Sequence, residues 1–160
     1  MKKFLILFLL WSSTVNASWA KPILYTGKAK VIDGDTLVIK DTKIRLAGVD
    51  APELKQNCFK NKKVEPCGKI IKSKVEQATE NKEVICNSLG TDMYGRVLGE
   101  CFVKDININE WLIREGLAVY YYNKNCKHYK QLEKQAKKEK LGLWDTKFTE
   151  PKKFRKENKK

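Results

Sequence analysis

At 160 residues the chain is long enough to bury one real core and leaves no room for a second domain of ordinary size. Its 33 Lys and Arg against 19 Asp and Glu give a formal net charge of +14. That surplus favours a polyanionic partner, because each cation set against a phosphate releases counterions. Charge alone does not separate DNA from RNA, anionic lipid or acidic glycan.

The first twenty residues, "MKKFLILFLLWSSTVNASWA", carry Lys2 and Lys3, an apolar run over 4–11 and small residues before Lys21. This is the layout of a secretory signal, and the run is well short of the ~20 residues that span a bilayer. Cleavage is expected after Ala17 or Ala20, and no cysteine lies near the site to carry a lipid. Cleavage removes only Lys2 and Lys3 from the cations, so the exported protein, periplasmic or secreted, stays basic. Stable membrane association is not expected once the signal is gone.

Residues 25–49 read as three strands, "YTGKAKVI", "TLVIK" and "KIRLAGV", with turns at Asp33-Gly34 and Asp41-Thr42. A polar loop rich in Lys and Asn follows Pro52. In "GKIIKSKVEQATEN" the spacing of Ile71, Val75 and Ala78 predicts a helix. Two more strands are expected near 83–89 and 96–103. "NEWLIREGLA" predicts a short helix with Asn109 as N-cap and Gly116 as its stop. "KHYKQLEKQAKKEKLGLW" predicts another, with Tyr129, Leu132 and Ala136 facing inward and Gly142 at its end. Residues 147–160 have little apolar content and many lysines, which predicts a flexible basic tail.

The order of strands and helices predicts an α+β domain over residues 21–146. A five-stranded barrel of the oligonucleotide-binding type, with about three helices packed outside, is the expected architecture. Strands and helices do not alternate, which argues against a three-layer α/β fold.

Export permits disulfides, and there are five cysteines. Counting does not settle their connectivity. Cys86 and Cys101 end strand-like runs on either side of the "TDMYGR" turn, so antiparallel pairing would set them opposite each other. Cys58 and Cys67 bracket a loop that a bridge would close, leaving Cys126 free or paired with another molecule. Reduced, buried thiols are the alternative.

The chemistry concentrates in "VIDGDTLVIKDTKIRLAGVDAPE", residues 31–53. Asp-Gly is first of all a hairpin signal. A tight turn also fixes where Asp35 points, however, and Pro52 keeps Ala51 extended, so Asp50 and Glu53 leave a strand end together. Two carboxylates with a backbone carbonyl and waters make an oxygen-rich site suited to Ca²⁺ rather than Zn²⁺. The single histidine, His128, sits in a lysine-rich helix and reads as a surface residue. Arg45 and Arg96 are candidates to clamp a phosphate bidentately, although either arginine taken singly also fits an ordinary ion pair.

"IDGDT", "RLAGVDAPE", "DMYGR", "NEWLIREGLA" and "KQAKKEKLGLW", in that order, resemble the staphylococcal nuclease (thermonuclease-like) family over roughly residues 25–144. The resemblance implies a calcium-dependent phosphodiesterase acting on DNA, RNA or both by in-line water attack and leaving 3′-phosphate ends. It makes Asp35, Asp50 and the Ala51 carbonyl the metal ligands. Glu53 becomes the group that orients or deprotonates the attacking water, Arg45 and Arg96 the phosphate-binding pair, and Asp33 a neighbour of the metal through water. Ala51 and Met93 stand where the best-known member of that family has threonine and lysine; only the second puts a substrate contact in doubt. Tyr94 and one or more of Tyr120, Tyr121 and Tyr122 are candidates to stack bases or line the groove, with rim packing as the alternative.

On this reading Arg45→Ala or Arg96→Ala impairs turnover far more than folding. The competing reading is a noncatalytic nucleic-acid-binding barrel, which would need no such complete set of acids and arginines. A lipid- or glycan-binding protein lacks the strongly amphipathic Lys/aromatic helix it would use. Nothing in the sequence suggests an oligomer, and a monomer is expected.

Overall fold

The computed structural model describes residues 23–158. The expected signal segment lies outside the described residues. Alternating apolar positions build β1 (Leu24–Gly27), β2 (Ala29–Asp33), β3 (Thr36–Ile39) and β4 (Thr42–Leu46), followed by the two-residue β5 (Val49–Asp50). A small hairpin, β6 (Cys58–Lys60) and β7 (Lys63–Glu65), leads into α1 (Cys67–Thr79). Then come β8 (Val84–Thr91), β9 (Val97–Val103) and β10 (Ile106–Asn107). The chain continues through α2 (Ile108–Arg114), β11 (Val119–Tyr120), α3 (Tyr129–Glu139) and α4 (Pro151–Glu157).

The class is α+β. The main sheet runs in the order β1–β8–β9–β4–β3–β2, with β10 also on β9. Its pairs are antiparallel except β4–β9, which is parallel. The two ends of that order, β1 and β2, are consecutive in the chain with Lys28 alone between them. Val97, Gly99, Cys101 and Val103 alternate inward along β9, meeting Leu37, Ile44 and Leu46 from β3 and β4. Burying a side chain such as Leu37 or Ile44 stabilises the fold by ~1.5–3 kcal/mol. At Gly99 a Cβ would come within 2.5 Å of Ile44 Cγ2, so glycine is what lets β9 pass so close to β4.

Disulfides join Cys58 to Cys67 and Cys86 to Cys101, and Cys126 is free and buried. The second bridge links residues directly opposite on β8 and β9. Tyr129 and Ala136 turn inward from α3 with Leu132 half-buried beside them, as their spacing predicts.

Three expectations are corrected. The N-cap of α2 is Asn107, whose side-chain oxygen accepts from the Glu110 N–H. Asn109 is instead fully buried: its amide donates to the Ala47 and Gly99 carbonyls and accepts from the Cys101 N–H. Helix α3 ends at Lys140, which takes the left-handed conformation, while Gly142 opens a 3₁₀ turn, Gly142–Asp145. The segment expected to be a flexible tail carries a fourth helix. Pro151 starts α4 and is buried, Lys147 pairs with Phe59 through both backbone bonds, and Phe148 packs edge-on against Trp144. A few well-placed apolar side chains and backbone pairs anchor a segment whose average composition is polar.

Candidate active site

The site forms where the β2–β3 turn meets the end of the β4–β5 region. Gly34 lies so close to β5 that a Cβ there would approach Ala51 Cβ to 2.6 Å and Ile71 Cγ2 to 2.9 Å. A side chain at 34 would push the turn away, and with it Asp35. The Asp35 carbonyl is fixed by the Leu46 N–H at 2.8 Å. Its carboxylate accepts from the Ala51 N–H at 2.8 Å and the Thr36 hydroxyl at 3.2 Å. Asp35 and Asp50 are both buried, Asp50 completely.

Between these two acids lies Arg45, on the face of β4 opposite Ile44 and Leu46. It pairs with Asp35 and donates at 3.0 Å to Asp50 Oδ1 and at 3.2 Å to the Val49 carbonyl. Burial alone would weaken the guanidinium's hold on its proton, but Asp35 and Asp50 outweigh it and push the pKa up. Asp33 feels the opposite balance: burial, followed by the nearby Asp35 charge, pushes its carboxyl up to about 6. Its Oδ1 accepts from the Asp35 N–H.

A third arginine, absent from the sequence-based set, reaches Asp50 as well. Arg155 of α4 donates from Nη1 to Asp50 Oδ1 at 2.9 Å and Glu53 Oε1 at 2.8 Å, and from Nη2 to Asp50 Oδ2 at 3.0 Å. Across the cleft, Asp92 Oδ1 accepts from the Tyr94 and Arg96 N–H groups while Oδ2 pairs with Arg96 Nε at 2.7 Å. Burial works against ionisation of Asp92, but those N–H groups and the guanidinium prevail and hold its pKa below the usual carboxylate value. The Arg96 guanidinium also lies over the Tyr94 ring, 5.6 Å from its centroid.

One cleft of about 770 Å³ gathers Asp33, Asp35, Arg45, Glu53, Tyr94, Arg96 and Tyr122. Asp50 and Ala51 do not line it; both are buried, with Asp50 bonded to the lining residues Arg45 and Arg155. Tyr120 is not among the lining residues. It packs against the core with its N–H donating to Glu133, and the neighbouring Tyr121 lines the cleft instead. Lys152, Arg155 and Lys156 add a wall from α4. The signal that would have found them was Pro151 ahead of "KKFRKE", a helix start, with Phe148 and Phe154 to anchor it. His128 is exposed and bonded to Glu110 at 2.8 Å.

Among the described residues, no group of three or more His, Cys, Asp or Glu side chains is arranged as a ligand cluster. Asp35 and Asp50, both bonded to Arg45, bring carboxylate oxygens together beside the cleft, donors of the kind a hard cation such as calcium takes.

Carboxylates and guanidiniums gathered in one cleft of a strongly basic chain belong here to a hydrolytic nuclease. Comparison with known proteins names its kind. Residues 43–146 match the family model described as staphylococcal nuclease homologue, and the chain belongs to that family. It is 37% identical over 134 residues to the succinoglycan biosynthesis protein ExoI of Rhizobium meliloti (strain 1021), covering 82% of this chain and 69% of the relative. Identity to an uncharacterized endonuclease of Escherichia coli is 31% over 121 residues, covering 72% and 73%. The thermonuclease of Staphylococcus intermedius is 34% identical over 126 residues, again covering 72% and 73%.

Proposed function

We propose that the protein is an exported, calcium-dependent phosphodiesterase that hydrolyses DNA, RNA or both by in-line water attack, leaving 3′-phosphate ends. The observation that carries the reading is the single hydrogen-bonded network in which Asp35, Arg45, Asp50 and Glu53 converge at one end of the cleft. Asp35, Asp50 and the Ala51 carbonyl would hold the calcium, with Asp33 beside them. When bound, the ion supplies positive charge to a phosphate oxygen and to water.

Around it the chain's own groups divide the work. Arg45 and Arg96 take the non-bridging phosphate oxygens and stabilise the charge that grows on them in the transition state. Glu53, carried on the loop after β5, accepts a hydrogen bond from the attacking water and orients it for attack opposite the leaving 5′-oxygen. Tyr94, Tyr121 and Tyr122 offer faces for unstacked bases. We read β1 and β2 as one strand bent at Gly27, whose two halves pair β8 and β3. On that reading five strands close a barrel of the oligonucleotide-binding type. The signal-like first twenty residues and the two disulfides support export to the periplasm or medium, and the enzyme works as a monomer without stable membrane association.

The test is cleavage of single-stranded DNA by the mature protein with calcium, with chelator, and as Glu53→Ala. Calcium-dependent cleavage that collapses in the variant is expected. Binding without cleavage under all three conditions would instead support the noncatalytic module.

A further inference from the structure

We propose that Arg155 is a positioning residue for this reaction: it ties the loop carboxylate Glu53 to the rigid carboxylate Asp50 and so fixes where Glu53 directs water. The two acids differ in mobility by position. Asp50 has no exposed surface and is also held by Arg45, whereas the Glu53 side chain is 37% exposed on a loop. Nη1 of Arg155 serves both acids, and Nη2 takes the second oxygen of Asp50. The planar guanidinium therefore carries the orientation of Asp50 to a side chain that would otherwise swing, and it offsets the repulsion between two neighbouring anions.

A second tie, through the main chain, runs parallel to the first. Gln56 is 1% exposed; its side-chain oxygen accepts from the Glu53 N–H, and its amide nitrogen donates to the Thr149 carbonyl. The Gln56 N–H in turn reaches the Glu53 carbonyl at 2.7 Å. The strand-like pairing of Lys147 with Phe59 fixes the start of this C-terminal strap, and buried Pro151 fixes the start of α4. The strap thus grips the Glu53 loop once by backbone and once by side chain.

The kinetic part of this proposal rests on the nuclease reading, so its test has two arms. In the first, kcat and KM for single-stranded DNA in calcium are measured for the wild type, Arg155→Ala, Arg155→Lys, Glu53→Ala and the Arg155→Ala/Glu53→Ala double variant. A displacement of an ångström or so costs up to ~10²-fold, so Arg155→Ala should lower kcat by ~10–100-fold with KM changed less than ~3-fold. Lysine should restore little, since it lacks the fork. The double variant should be no slower than Glu53→Ala alone, because Arg155 acts through Glu53.

The second arm uses chelator and no substrate: the melting temperatures of the wild type, the two alanine variants and their double form a cycle. The loss caused by Arg155→Ala should shrink in the Glu53→Ala background. Multiplying kinetic losses, an unchanged kcat, or an additive melting cycle would overturn the proposal. So would faster cleavage at low calcium, which would mark Arg155 as a competitor for the cation. A wild type that does not cleave would sink the nuclease reading, and with it the catalytic part of this one. The chelator cycle would then decide the tie by itself.

Discussion

The Arg45 side chain is 14% exposed and lies between two carboxylates, whereas Arg96 is 27% exposed against one. Arg45→Ala would leave Asp35 and Asp50 buried with one fewer counter-charge. Breaking a buried pair from one side costs ~3–5 kcal/mol. Arg96→Ala removes a rim pair, for which the loss is at most ~1 kcal/mol. Urea unfolding in chelator should therefore separate the two variants by several kcal/mol, while both lose ~10²–10³ in kcat as phosphate donors. The expectation from sequence that either substitution impairs turnover far more than folding therefore stands as a prediction for Arg96 and is replaced for Arg45 by one in which folding suffers too. An arginine between apolar neighbours in "IRLAGV" gives no sign of how deeply its carboxylate partners are buried. Equal unfolding midpoints for the two variants would refute the distinction.

At the scale of elements, two asparagines two residues apart do different work. Asn107→Ala loses a cap on α2, worth ~1 kcal/mol. Asn109→Ala strands the Cys101 N–H and leaves the Ala47 and Gly99 carbonyls with one partner fewer, all in the interior; a buried donor without a partner costs ~1–3 kcal/mol. Asn109→Ala should therefore unfold at the lower denaturant concentration, an order opposite to the one expected if Asn109 were the cap.

The turn at 92–96 makes a second prediction. Asp92 has a folded pKa below its ordinary 3.8. Its contribution is thus complete above the ordinary value and is lost as pH falls through the lowered one. Hydrogen exchange at the Tyr94 and Arg96 amides should lose protection in that acid window in the wild type, and Asp92→Asn should remove the pH dependence. The main strands, the inward stripe of α3 and the Gly116 stop were legible, because period and turn chemistry are local, whereas the β6–β7 hairpin lies in a segment that read as a polar loop. The role of Asn109 was not legible, since its partner at Ala47 lies 62 residues away, and with that role hidden either asparagine could serve as the local cap.

Over the whole molecule the same contrast separates what local pattern encodes from what packing adds. Asp35, Arg45, Asp50 and Glu53 lie within nineteen residues of one another and could be grouped from their motif. Arg155 lies 105 residues beyond Asp50 and joins it only through tertiary packing, so its segment's charge read as solvated tail. The helix that carries it turns part of the +14 surplus toward the cleft: Lys152 and Lys156 line it, and Lys152 Nζ sits 5.8 Å from the centroid of the Tyr121 ring. If these lysines meet substrate phosphates, each neutralised phosphate steepens the fall of log affinity with log salt by ~0.7 for a single strand. Lys152→Gln/Lys156→Gln should flatten the salt dependence of single-stranded DNA binding by ~1.4 in slope, equally for different base sequences. Both residues lie on the wall and not among the groups assigned to water or phosphate chemistry, so kcat at saturating substrate should change little. Binding would be measured in chelator by anisotropy across a salt series. An unchanged slope would mean that the α4 lysines serve solvation alone, and that the cleft draws its substrate through Arg45 and Arg96.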